Sequence, residues 1–159
     1  MAKRLSMLSM LTAIGLLAAW LEYVLLPPIA VPGVKLGLAN LATVAALFVY
    51  GFRGASAVTF ARVALAALLF GNLSTLMFAL AGALLAVPGM ALLKRAGGFS
   101  PVGVSIAGGV LHNAGQLLAA ALIARTPGLA AYLPVLLVSG AAMGAVNGLI
   151  ALAVIRRFR

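Results

Sequence analysis

Six predominantly apolar runs, at 5–26, 36–50, 55–70, 73–93, 101–124 and 132–155, are parted by short segments rich in proline, glycine and asparagine. This alternation constrains the fold more than any other feature of the chain. A hydrocarbon core about 30 Å thick takes about 20 helical residues, each rising about 1.5 Å. In lipid the backbone amides of such a run must be satisfied within the run itself, which selects helices. The pattern predicts an all-α membrane protein of six transmembrane helices forming one domain over residues 1–159. With 65% of residues hydrophobic, 8% charged and a mean hydropathy of +1.26, a water-soluble core is excluded.

The boundaries follow from turn chemistry. Pro27-Pro28 ends the first run, and Gly51-Phe52-Arg53-Gly54 reads as a tight turn between the second, which is short for a crossing, and the third. Asn72 is placed to cap the fourth helix and Pro101 to open the fifth. Pro88-Gly89 inside the fourth predicts a kink, and Arg125 to Ala131 a final loop. The start Met1-Ala2-Lys3-Arg4 is like that of a secretory signal, but the apolar run continues to Leu26 and others follow, so it reads as a retained helix.

The formal net charge of +10 resides at the ends of apolar runs. Such placement points to topology and anionic lipid, not to nucleic acid. With six crossings, Lys3, Arg4, Arg53, Lys94, Arg95, Arg156, Arg157 and Arg159 share one side, whereas Lys35 and Arg125 lie on the other. The positive-inside rule then puts both termini in the cytoplasm and the 27–35 loop and Asn72 outside. The expected location is the cytoplasmic (inner) membrane of a bacterium.

Several activities are excluded by what the sequence lacks. It has no cysteine, hence no disulfide, thiolate metal site or thiol nucleophile. It has no aspartate and one acidic residue, Glu22, whereas Mg²⁺-assisted diphosphate chemistry needs several carboxylates. No G-x-x-x-x-G-K-[ST] loop is present for nucleotide phosphates. The chain is expected to be neither an enzyme nor a holder of a cofactor or metal.

Polar residues inside the apolar runs are costly and therefore informative. The segment Pro32-Gly33-Val34-Lys35-Leu36-Gly37-Leu38-Ala39-Asn40 sets a lysine and an amide at the mouth of a helix, with Gly37 and Asn40 one turn apart. It reads either as part of a binding site or as a loop with one snorkelling lysine. Ser56, Thr59, Arg62 and Ala66 form a stripe on the third run, with Arg62 near mid-span. Glu22 is its candidate ionic partner, as a structural bridge, a gate or a ligand-holding pair. His112, Asn113 and Gln116 cluster within about one turn and suggest a cavity. Gly140, Gly144 and Gly148, like Ser105, Gly109 and Asn113, recur every fourth residue and predict close helix packing. Asn147 beside Gly148 reads as an interhelical hydrogen bond. Lys35, Arg62 and His112 against one carboxylate favour a polar or anionic ligand.

The segment Pro32 to Asn40, together with Tyr50-Gly51-Phe52-Arg53, Gly103-Val104-Ser105 and His112-Asn113 followed by Gly115-Gln116, resembles the Gx transporter family, also labelled heptaprenyl diphosphate synthase component I. That family is similar to the substrate-binding S components of energy-coupling factor (ECF) importers. The resemblance implies a six-helix S-component-like bundle with an outward-facing pocket roofed by the first outer loop. It also implies transport by a transmembrane coupling protein and two ATPase subunits. On this reading Glu22, Lys35, Asn40, Arg62, Asn72, His112, Asn113 and Gln116 hold a small-molecule substrate. The A-x-x-x-A motif by which S components meet the coupling protein would fall on Ser9 and Ala13, where the serine departs from the pattern, with Gly15 and Ala19 as a second small pair. The alternatives are a non-catalytic membrane subunit of a prenyl diphosphate or quinone-related enzyme, and a stand-alone proton-coupled carrier using Glu22 and His112.

Overall fold

The computed structural model of the chain describes residues 2–25 and 37–157. These form α1 (Ala2–Leu25), α2 (Asn40–Leu69), α3 (Leu73–Ala96), α4 (Pro101–Ala124) and α5 (Leu133–Arg157), with a 3-10 turn at Pro127–Tyr132 where a loop was expected. All five helices are long and apolar enough to cross a membrane. The lipid-compatible exterior carries exposed Leu68, Leu122 and Val138.

The expected spans 36–50 and 55–70 are one helical run, α2, but not one straight rod. Gly51 has φ 75° and ψ −170°, a conformation open essentially to glycine alone. Thr43 and Thr59 share a buried hydroxyl hydrogen bond of 2.7 Å. Sixteen residues of unbroken helix would hold them about 24 Å apart, so the chain doubles back at Gly51. The helix also starts later than expected, at Asn40 instead of residue 36. Gly37, with φ 63°, stands outside it, and its peptide bonds to side chains from other helices.

The bend leaves carbonyls whose helical partners, four residues on, lie at or past the break. Two cations supply the missing donors. Lys94 Nζ donates to Leu47 O at 2.7 Å and to Phe48 O at 3.4 Å, and sits 5.0 Å from the Phe48 ring centroid. Arg4 donates to Tyr50 O at 3.4 Å and lies 5.9 Å from the Tyr50 ring centroid. The start of α1, the bend of α2 and the end of α3 are thus tied together at one end of the bundle.

Above that end lies a dense core of Val44, Leu47, Val58, Val87, Met90 and Val104, all essentially inaccessible. The small-residue stripes do bring α4 and α5 together. A methyl group at Gly140, Gly144 or Gly148 would fall 2.7 Å from Gly109 O, Ile106 Cα or Val102 Cα respectively, which places these helices backbone against backbone. Asn72 is the N-cap of α3, accepting from Thr75 N–H at 2.9 Å while Thr75 Oγ1 accepts from Asn72 N–H at 2.8 Å. Ser100 caps α4 and Pro101 opens it. Pro88 is carried within α3 on an exposed face.

The two small pairs on α1 face different ways. Ser9 and Ala13 are exposed. Gly15 is buried, with room for a methyl group pre-empted by Arg62 Cδ at 2.8 Å and Ala42 Cβ at 3.0 Å, and Ala19 is half-buried. Of the four positions expected to meet a coupling protein, Ser9 and Ala13 are therefore exposed, while Gly15 packs against Arg62 and Ala42 of this chain.

Candidate functional site

At the end of the bundle opposite the α2 bend the core gives way to an open cavity of about 310 Å³, to which all five helices contribute. Small side chains create the space: Ala19 on α1, Ala66 and Ala67 on α2, Ala79 on α3, Gly109 on α4, and Gly140 and Gly144 on α5. Of the residues expected to contact a ligand, Glu22, Asn40, Arg62, Asn72, His112, Asn113 and Gln116 all line it. Lys35 lies outside the described residues.

One residue, Gly37, organises the rim. Gly37 N–H donates to Glu22 Oε1 at 2.7 Å, and Gly37 O accepts from Asn147 Nδ2 at 3.0 Å. Gly37 O also accepts from Asn40 N–H at 2.8 Å, which starts α2. Side chains of α1 and α5, 125 residues apart in sequence, thereby clamp the point where the chain enters α2. This corrects the expected ion pair. Among the described residues Glu22 and Arg62 close no ion pair, and one carboxylate oxygen is spent on the Gly37 amide.

Arg62 enters the cavity from the second leg of α2, its stem lying in the notch left by Gly15. Its Nε is buried and has no hydrogen-bond partner among the described residues. A buried guanidinium donor without an acceptor is costly, so this group is in want of an acceptor. His112 lies against the α3 backbone at Gly82, where an added methyl group would fall 2.7 Å from Nδ1. Asn113 is more committed than expected. Its Nδ2 donates to Leu136 O at 2.7 Å, within reach of Ser139 Oγ at 3.4 Å, so the amide joins α4 to α5 as well as lining the cavity.

The mouth is aromatic on one side. Tyr23 and Phe70, at the ends of α1 and α2, lie with ring centroids 5.6 Å apart and both face the cavity. Thr75 and Met143 complete the wall near Asn72 and Asn147. These four contacts were not foreseen. Aromatic and methionine side chains in an apolar run look like ordinary lipid-facing or core residues, and only the α3 cap could have pointed to Thr75. Among the described residues the cavity gathers a guanidinium whose Nε has no acceptor, a carboxylate engaged at one oxygen, an imidazole, several amides and an apolar wall. It is suited to holding a molecule.

Two further observations come from comparison with known proteins. The model of the family described as heptaprenyl diphosphate synthase component I matches residues 11–154. No curated protein and no solved structure matches the chain.

Proposed function

The chain belongs to the heptaprenyl diphosphate synthase component I family, and from that premise we propose that it is the substrate-binding membrane subunit, or S component, of an ECF-type ATP-driven importer. It captures a small polar or anionic molecule from the outer side. The observation that carries this reading is the convergence of Arg62, His112, Gln116 and Asn40 on one cavity open at one end of an otherwise apolar bundle. Polar groups from three helix segments gathered in lipid are expensive unless they serve a ligand or its water.

On this reading the hairpin at Gly51 makes six crossings, both termini are cytoplasmic in a bacterial inner membrane, and the cavity faces outward. The basic residues agree, since Arg4 and Lys94 meet at the end opposite the cavity. The chain has no nucleotide loop, so the work comes from a transmembrane coupling protein and two ATPase subunits, with exposed Ser9 and Ala13 on α1 as a contact. It is not itself catalytic.

The family description favours one other reading, a non-catalytic membrane subunit of a prenyl diphosphate or quinone-related enzyme. Mild-detergent purification of the tagged chain from native membranes separates the two. Co-purifying ATPases with Walker motifs and ATP-dependent uptake support import. A soluble prenyltransferase in their place, with no ATPase, refutes it.

A further inference from the structure

Building on the capture reading, we infer that Gly15 of α1 is a positioning residue for Arg62: the missing side chain at that position sets the pose in which the guanidinium enters the cavity. Gly15 lies where α1 meets both legs of the α2 hairpin. A methyl group built on it would fall 2.8 Å from Arg62 Cδ in the second leg, 3.0 Å from Ala42 Cβ in the first, and 3.6 Å from Ala39 O just before it. Carbon atoms rest against one another at about 3.5–4.0 Å, so the first two separations leave no room for that methyl group. Cδ is bonded directly to Nε, the atom that is buried without a hydrogen-bond partner among the described residues. The notch thus grips the Arg62 stem one bond short of the group in want of an acceptor.

Other glycines at helix contacts have a different task. Added methyl groups at Gly109, Gly144 and Gly148 would meet the backbone of the facing helix first, and one at Gly82 would meet His112 O at 2.8 Å as well as the imidazole ring. Those positions set how closely two helices approach. At Gly15 the two nearest atoms belong to side chains, and the nearer belongs to Arg62. Among the described residues Gly15 does not itself line the cavity, whereas Arg62 does, so any influence of Gly15 on the cavity passes through that stem. Of the other helices, α1 packs against α2 alone. The depth of the notch therefore depends on how α1 sits on the hairpin, and the seat of α1 and the pose of Arg62 are set together.

The test reads the Arg62 Nε–H itself, by NMR of the full chain labelled with ¹⁵N-arginine in lipid nanodiscs without added ligand. The Arg62 signal is assigned by its loss in Arg62→Lys. In the wild type this proton should exchange with water more slowly than those of exposed Arg53 and Arg95. Gly15→Ala, which drives the stem out of the notch, should speed its exchange roughly 5- to 150-fold, the range that overpacking by one methyl group spans. Leu17→Phe, which enlarges an exposed side chain on the same helix, should leave the rate unchanged. Gly15→Ala combined with Ala42→Gly removes the Ala42 contact and keeps the Arg62 one, so it should show the same acceleration, and it decides the matter where the single variant does not fold. Fast exchange in the wild type, unchanged exchange in Gly15→Ala, equal acceleration by Leu17→Phe, or slow exchange restored by Ala42→Gly overturns the positioning role. The capture reading fails separately, on a soluble prenyltransferase co-purifying in place of ATPases, whatever the exchange rates.

Discussion

The clamp on Gly37 gives the sharpest quantitative expectation. Glu22→Ala removes a 2.7 Å charge-assisted bond to the Gly37 amide, and Asn147→Ala removes a 3.0 Å bond to its carbonyl. Bonds to charged groups contribute about 1.5–3 kcal/mol and neutral ones about 0.5–1.5 kcal/mol. At about 1.4 kcal/mol per factor of ten, exchange of the Gly37 amide should speed up roughly 10- to 150-fold in Glu22→Ala and roughly 2- to 10-fold in Asn147→Ala. Glu22→Gln, which keeps an acceptor oxygen but no charge, should fall between wild type and alanine. Because both side chains hold the same residue, the double variant should cost less than the sum of the singles, by about 0.5 kcal/mol or more. The assay is amide hydrogen exchange on the segment around Gly37 in bicelles, with global unfolding as a control. Unchanged Gly37 exchange in Glu22→Ala, or strictly additive effects, would refute the clamp.

Three further expectations concern separate parts of the molecule. Arg62→Ala and His112→Ala should weaken ligand binding more than they lower the yield of folded, inserted protein; equal loss of folded protein with unchanged affinity in the remainder counts against their role. Lys94→Met, which strips donors from Leu47 O and Phe48 O, should destabilise the chain by about 1–3 kcal/mol in reversible denaturation. Topology mapped by cysteine accessibility should stay the same, since seven other basic residues share that side. Gly51→Ala forces a side chain onto φ 75° and should cost about 1–3 kcal/mol, read as a lower unfolding midpoint; a neutral result would show that the bend does not depend on that conformation.

The legibility of the fold and the site in the sequence divides along a physical line. Local rules placed the Asn72 cap, the Pro101 start and the turn at Gly51, because each depends on a few neighbouring residues. The cost of polar groups in lipid singled out Arg62, His112 and Gln116, and the structure places them on one cavity. What escaped was held by distant partners. Residue 37 reads as helix in the sequence because nothing nearby shows that Glu22 and Asn147 will satisfy its backbone N–H and C=O. The bond from Asn113 to Leu136 O, which it makes while lining the cavity, has its acceptor on another helix and leaves no local trace. In the sequence Lys94 marks topology alone, since its bonds to carbonyls 46 and 47 residues earlier leave no local trace. The direction in which Gly15 faces likewise required knowing where Arg62 would lie.

The cationic tie at the Gly51 bend has a consequence for biogenesis. As the nascent chain leaves the ribosome, Arg4 precedes the bend it bonds to, whereas the donor for Leu47 and Phe48 arrives only with the last turn of α3. A chain truncated before Lys94 therefore lacks the cation that donates to Leu47 O and Phe48 O at the hairpin tip.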